Sequence, residues 1–245
     1  MEKRLLIIGG SGFIGQYLNK TEIQYDSIST FYSRPFSDGI YFDLEKTNLT
    51  ELIEEYGFTH VLFLAGIVNF NEINRIPEEA RYINIDCTIN RIEEVINSGI
   101  VPVYFSSESV FSGKKGNYTE NDKPNPIFEY AENKYSVEQY ITNNTDNCFI
   151  FRLSKVFSSE KKPKSLVTGW LDQLERNEDI NVAIDNIFCP IHIKDVITLV
   201  MSLIGIGKYG IYNICSSKPY SRSEMLDIIV EEYSKYFTYT GKINR

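Results

Sequence analysis

Three short stretches hold residue types whose spacing can do chemistry. The first, Gly9-Gly10-Ser11-Gly12-Phe13-Ile14-Gly15, follows an apolar run ending in Ile7-Ile8. A glycine-rich turn between strand and helix lets backbone approach an anion, and the free N–H groups at the helix start face it, which is how a dinucleotide pyrophosphate is held. The second is Tyr130-Ala131-Glu132-Asn133-Lys134. On a helix the tyrosine and lysine share a face, and an ammonium beside a phenol should lower the phenol pKa into the range of useful acid–base work. The third is Ser106-Ser107-Glu108-Ser109, after the apolar run Val101–Phe105. Strand ends at the carboxyl edge of an open parallel sheet face the ligand crevice, and a hydroxyl there can donate to a carbonyl. A glycine trio or a YxxxK alone is common by chance; their order along one chain gives them weight.

The residues after the second apolar run refine the cofactor. An acid there would bind a free adenosine ribose, a basic residue a 2′-phosphate. The chain reads Phe31-Tyr32-Ser33-Arg34 with no acid, so Ser33 and Arg34 point to NADPH, with NADH the lesser option; the alternative is that Arg34 is a solvated turn residue. Asp43, in Tyr41-Phe42-Asp43-Leu44, is placed to accept from the adenine amino group.

These stretches need an alternating scaffold. Strand-length apolar runs recur at Arg4–Ile8, Ser27–Tyr32, Ile40–Phe42, His60–Leu64, Val101–Phe105 and Cys148–Arg152. Amphipathic segments at Phe13–Lys20, Thr50–Tyr56, Glu78–Ser98, Phe128–Ile141, Ser165–Arg176, Ile193–Ile204 and Ser221–Tyr233 predict helices, the last with Ser221 and Glu224 in capping-box position. The alternation predicts an α/β fold, a Rossmann-type doubly wound parallel sheet over residues 1–156. Residues 157–245 are left for a small α/β C-terminal substrate-binding cap, interleaved with the first domain. Gly113–Pro126, rich in Gly, Lys, Asn and Pro, predicts a long functional loop.

Composition excludes other classes. With 25 Lys+Arg against 33 Asp+Glu the 245-residue chain carries −8, and no basic run offers the footprint of a nucleic-acid surface. No apolar run is long enough to span a membrane. Cys87, Cys148, Cys189 and Cys215 are scattered without a CxxC pair and are expected to be small core residues in a reducing, cytoplasmic setting. His60 and His192 lie in unrelated segments, so no metal site is expected. Trp170, Tyr135 and Tyr140 read as core or interface side chains.

With the three stretches in this order, the chain resembles the extended short-chain dehydrogenase/reductase family. Within it the resemblance is to the dTDP-4-dehydrorhamnose reductase branch, whose pattern runs approximately STDYVFDG, then Y-x-E-x-D-x-P-x-P, then YxxxK. Here these become Ser106-Ser107-Glu108-Ser109-Val110-Phe111-Ser112-Gly113, Tyr118-Thr119-Glu120-Asn121-Asp122-Lys123-Pro124-Asn125-Pro126, and Tyr130 with Lys134. Ala65-Gly66 resembles the family's cofactor-adjacent turn and Asn84 its helix asparagine; Arg152, Cys189-Pro190-Ile191 and Gly210–Ile214 resemble later landmarks. The resemblance implies reduction of a 4-keto-6-deoxy nucleotide sugar, in deoxysugar or surface polysaccharide biosynthesis. Tyr130 would protonate the alkoxide, Ser107 would orient the carbonyl, and Lys134 would tune Tyr130 and hold the nicotinamide ribose; Ser107, Glu108, Tyr130 and Lys134 form the candidate catalytic set. Ser109 stands where the branch has Tyr, and Glu108 where it has Asp, so Ser107, Glu108 and Ser109 border the sugar. A second carboxylate after Glu108, which sugar-nucleotide dehydratases use, is missing. Lys155, with Lys161, Lys162 and Lys164, would flank the nucleotide pyrophosphate or else be ordinary solvated charge. A homodimer through Glu78–Ser98 and Phe128–Ile141 is implied by analogy. Two other readings stand beside the reductase. One is a nucleotide-sugar 4-epimerase with tightly bound NAD. The other is a non-catalytic regulatory subunit on the same fold, as known for a methionine adenosyltransferase partner.

Overall fold

The computed structural model describes residues 3–160 and 165–245, so Lys161, Lys162 and Lys164 lie outside the described residues. Strands β1 (Arg4–Ile8), β2 (Asp26–Phe31), β3 (Ile40–Tyr41), β4 (His60–Phe63), β5 (Val101–Ser107) and β6 (Phe149–Leu153) join a closing strand, Gly210–Ile214, in one sheet. Its spatial order is Gly210–Ile214, β6, β5, β4, β1, β2, β3. The β1–β2, β1–β4, β2–β3, β4–β5 and β5–β6 pairs are all parallel. The sheet therefore grows one way from β1 to β3 and the other way from β4 onward, and the crevice of such a sheet lies at that reversal.

Both sheet faces are covered, as a doubly wound fold requires. Leu6 and Ile8 on β1, Val61 and Phe63 on β4, and Ile150 on β6 share a buried cluster with Leu49, Ile53, Ile92, Val95, Val137 and Ile141. The alternate set, Leu5, Ile7, Leu62, Val103, Phe149 and Phe151, is equally buried. Each such side chain contributes roughly 1.5–3 kcal/mol by leaving water.

Helices α1 (Phe13–Lys20), α2 (Leu49–Tyr56), α3 (Phe70–Arg75), α4 (Pro77–Arg81), α5 (Thr88–Asn97) and α6 (Glu129–Asn144) lie between these strands in the chain. The segment expected as one helix over 78–98 is interrupted. Tyr82–Cys87 between α4 and α5 is π-helical, with its wider turn. The Gly113–Pro126 segment has no helix or strand, as expected, and is pinned internally: Asp122 accepts from Thr119 N–H at 2.7 Å and pairs with Lys115 at 2.5 Å. Glu120 Oε1 accepts from Asn213 N–H at 2.8 Å, tying the loop to the closing strand.

Two compact units divide the chain, one of Met1–Leu153 with Val200–Asn213, the other of Ser154–Leu199 with Ile214–Arg245. The second unit contains α7 (Leu166–Glu175), the start of α8 (Ile193–Ile206) and α9 (Arg222–Ser234). Its core gathers Trp170, Leu174, Ile180, Val182 and Leu226. Helix α9 begins with the expected capping box: Ser221 Oγ accepts from Glu224 N–H at 3.1 Å and Glu224 Oε2 accepts from Ser221 N–H at 2.7 Å. Among the described residues no helix is long and apolar enough to cross a membrane. Cys87 and Cys148 are buried as expected, but Cys189 is half-buried and Cys215 is exposed, so neither of these two is a core residue.

Candidate active site

The glycine turn leaves β1 and is stitched to its neighbours on both sides. Gly10 N–H donates to Thr30 O at 2.8 Å, and Ala65 N–H donates to Ile8 O at 3.0 Å. The turn and α1 touch backbone to backbone: a Cβ on Gly15 would stand 2.5 Å from Gly9 O and 2.6 Å from Gly10 Cα. Helix α1 opens at Gly12, with no side-chain cap, and its first internal bond is Gln16 N–H to Gly12 O at 2.9 Å. The amides of Phe13, Ile14 and Gly15 thus have no acceptor inside the helix. Ser11, Gly12, Phe13 and Ile14 are half-buried around that opening. Uncapped amides behind a turn this close fit the pyrophosphate of a dinucleotide.

Across the switch point, Ala65-Gly66 follows β4. Gly66 has φ +150°, and a Cβ there would stand 2.8 Å from Asn84 Oδ1. Asn84, in the π-helical segment, accepts from Ile67 N–H and donates to Ile67 O, both at 2.8 Å. Its amide acts as a strand partner would, holding the post-β4 backbone in place at the sheet's carboxyl edge.

Ser33 and Arg34 sit exposed just past β2, and Arg34 has no hydrogen bond or ion pair among the described residues. Asp43 is buried and locally engaged, its Oδ1 accepting from Glu45 N–H at 2.9 Å, while Leu44 packs partly buried on the core.

Ser107 ends β5 and caps the short turn Glu108–Val110. Its hydroxyl accepts from Ser109 N–H at 3.2 Å and donates to Ser109 Oγ at 3.0 Å. Glu108 and Ser109 are half-buried beside it. Tyr130, in the first turn of α6, is brought to the same place, where the Ser107 hydroxyl acts to lower the pKa of its phenol. Phe128 stacks on the Tyr130 ring with centroids 6.5 Å apart, and Phe70 meets Phe128 edge-on at 5.9 Å.

One turn further, Lys134 Nζ donates to Phe105 O at 2.8 Å and lies 6.0 Å from the Tyr130 ring centroid. This corrects the expected electrostatics. Burial raises the Tyr130 pKa above its ordinary 10, and the lowering influence is the Ser107 hydroxyl rather than the ammonium. The same burial lowers Lys134 to about 8, with Glu138 acting the other way. The cause is desolvation, which favours the neutral form of both groups and outweighs their proximity.

Ser107, Glu108, Ser109, Tyr130 and Lys134 thus meet at the carboxyl end of β5, within the first unit. Lys155 belongs to the second unit and is exposed. Two features escape the sequence reading. Glu138 extends the Tyr130, Lys134 series by another four residues, a spacing visible in the sequence. Ile67 as the partner of Asn84 has no sequence signal.

The family model described as RmlD substrate binding domain matches residues 3–240. Methionine adenosyltransferase 2 subunit beta of Xenopus tropicalis is 25% identical over 206 residues, which cover 82% of this chain and 62% of that protein. This chain therefore spans less than two thirds of that relative. A dTDP-4-dehydrorhamnose reductase of Sinorhizobium fredii is 26% identical over 202 residues, covering 82% of this chain and 66% of that one. The solved dTDP-4-dehydrorhamnose reductase of Bacillus anthracis, in complex with NADP, superposes with a TM-score of 0.84 at 22% identity, covering 100% of this chain and 84% of that one.

Proposed function

This chain belongs to the RmlD substrate binding domain family, and from that premise we propose that it reduces the keto group of a 4-keto-6-deoxy nucleotide sugar with NADPH. The observation that carries the reading is the meeting of Ser107, Tyr130 and Lys134 at the carboxyl end of the sheet. The uncapped start of α1 lies in the same unit. NADPH would supply the hydride. The N–H groups at Phe13–Gly15 would hold its pyrophosphate, and Arg34 its 2′-phosphate as a planar fork.

The protein's own groups then act on the sugar. The Ser107 hydroxyl would turn from Ser109 Oγ to the substrate carbonyl, with Ser109 N–H still steadying its oxygen. Tyr130, its pKa raised by burial, is protonated at neutral pH, the state needed to hand a proton to an alkoxide. Lys134, at about 8, is about nine-tenths charged at pH 7 and can hold a ribose hydroxyl. Ser109 adds no second carboxylate beside Glu108, which supports reduction over dehydration.

The test is NADPH oxidation, followed at the nicotinamide absorbance, against dTDP-, GDP-, UDP- and CDP-linked 4-keto-6-deoxy sugars. Oxidation matched by alcohol formation is expected with at least one. NADPH binding without turnover on every member would overturn the reductase. It would favour a regulatory module, the reading that the similarity to methionine adenosyltransferase 2 subunit beta supports.

A further inference from the structure

Tyr130, Lys134 and Glu138 recur every four residues along α6 and so share one face of the helix. Only the first two have a part in the reaction proposed above. Glu138 is 2% exposed, and a carboxylate buried that deeply is costly unless it is fully bonded. It is fully bonded. Arg152 Nε donates to both carboxylate oxygens at 3.1 Å, Arg152 Nη2 donates to Oε2 at 2.7 Å, and Ser106 Oγ donates to Oε1.

Each partner sits on an element that carries part of the site. Ser106 immediately precedes Ser107 on β5. Arg152 is on β6, with its guanidinium 5.0 Å from the Phe111 ring centroid, next to the turn that follows Ser107. Lys134 reaches β5 through Phe105 O. The cluster therefore joins α6, β5 and β6 directly beneath the reacting groups.

A structural tie could be made by apolar residues at lower cost, since buried ion pairs are often matched in stability by packed hydrophobes. What an apolar tie could not supply is charge. Lys134 is desolvated, and among the described residues the charged neighbour that acts on it is Glu138.

We propose that Glu138 is a positioning residue whose carboxylate, locked by Arg152 and Ser106, serves as the fixed counter-charge of the Lys134 ammonium. The inference rests on the reductase reading for its purpose, but its physical content is a property of Lys134 and needs no substrate.

The test measures the titration of Lys134 directly, by competitive acetylation across pH 6–11 with peptide mass spectrometry, on the intact chain without substrate. In the unaltered protein the midpoint is expected near 8. Glu138→Gln keeps the shape and removes the charge; the midpoint should fall by about one pH unit or more, a loss of about tenfold in the protonation constant. Glu138→Asp keeps the charge and should restore most of the shift. Should Arg152 left alone prevent folding of E138Q, the double variant E138Q/R152M leaves neither charge unpaired and carries the same measurement. An unchanged midpoint in either folded variant overturns the proposal, and so does an equal fall in E138Q and E138D, which would mean packing rather than charge. A fall in E138Q rescued in E138D, in a chain that reduces no sugar of the panel, would leave the counter-charge standing and remove only the reductase reading.

Discussion

Gly15→Ala places one methyl group where the structure has no room for it. The added Cβ would lie 2.5 Å from Gly9 O, 2.6 Å from Gly10 Cα and 2.8 Å from Gly10 C, all backbone atoms, where ordinary contact begins at 3.4 Å. Relief demands a movement of about 0.9 Å between α1 and the turn. The turn cannot give freely, because Gly10 N–H is bonded to Thr30 O at 2.8 Å and Gly12 N–H to Gly9 O at 3.0 Å. Overpacking of this kind costs about 1–3 kcal/mol. If the helix start is what receives the pyrophosphate, a similar amount is lost from binding, and 1.4 kcal/mol is tenfold in affinity. Titration of NADPH by its fluorescence should show about 10- to 100-fold weaker binding, with a lower thermal midpoint. Unchanged affinity and melting in Gly15→Ala would refute the argument that helix and turn meet backbone to backbone at the cofactor.

Three further outcomes follow from the same geometry. Tyr130→Phe removes the proton donor and leaves its stacking on Phe128; turnover on the active sugar should fall by about 10²–10⁴-fold while NADPH affinity changes little, and a near-normal rate would remove Tyr130 from its role. Arg34→Ser should weaken NADPH about tenfold or more and leave NADH unchanged, read as the ratio of the two dissociation constants; an equal effect on both would make Arg34 a general surface charge. His60, buried and with no partner for Nε2 among the described residues, has its pKa lowered to about 4, chiefly by desolvation. Unfolded, it takes up a proton near 6.5, so between about 6.5 and 4 the unfolded state binds more protons and stability falls as pH falls. Urea unfolding at pH 7 and pH 4.5 should differ by about 1–2 kcal/mol more in the unaltered chain than in His60→Phe, and equal differences would exclude His60 as the cause.

Much of this architecture is legible in the sequence because it rests on local patterns. Helix α1 matches its expected bounds, Phe13–Lys20, and the strand runs lie within a residue or two of those observed. The apolar face over 78–98 reads as one helix because the apolar pattern resumes after the π-helical turn: Ala80 is buried before it, Ile92 and Val95 after it. A widened turn of that kind leaves no mark on periodicity. Helix α3 is missed because six residues with one buried side chain, Ile73, carry too little pattern, although Asn69 caps it by accepting from Glu72 N–H at 3.1 Å. The site residues are named by motif, but their electrostatics are not. The spacing of Tyr130 and Lys134 shows that they share a face; it does not show that the ammonium is committed to Phe105 O or that burial outweighs proximity.

That last difference bears on the direction of the chemistry. Desolvation acts on both members of the pair toward neutrality, holding Tyr130 protonated and drawing Lys134 down. Burial alone favours a neutral phenol and a neutral amine. Each group has one opposing influence, the Ser107 hydroxyl for Tyr130 and the Glu138 carboxylate for Lys134, and only the second is a full charge. The balance therefore differs for the two residues: the lysine stays largely charged at neutral pH, while the tyrosine stays a proton donor. In the proposed reductase, a protonated phenol is the state needed to complete the reduction. Running the same site toward alcohol oxidation would need the phenolate, which burial disfavours until the pH is well above neutral. For the proposed reductase, the protonation state of the phenol is thus set by the depth of one helix face, which the motif does not record.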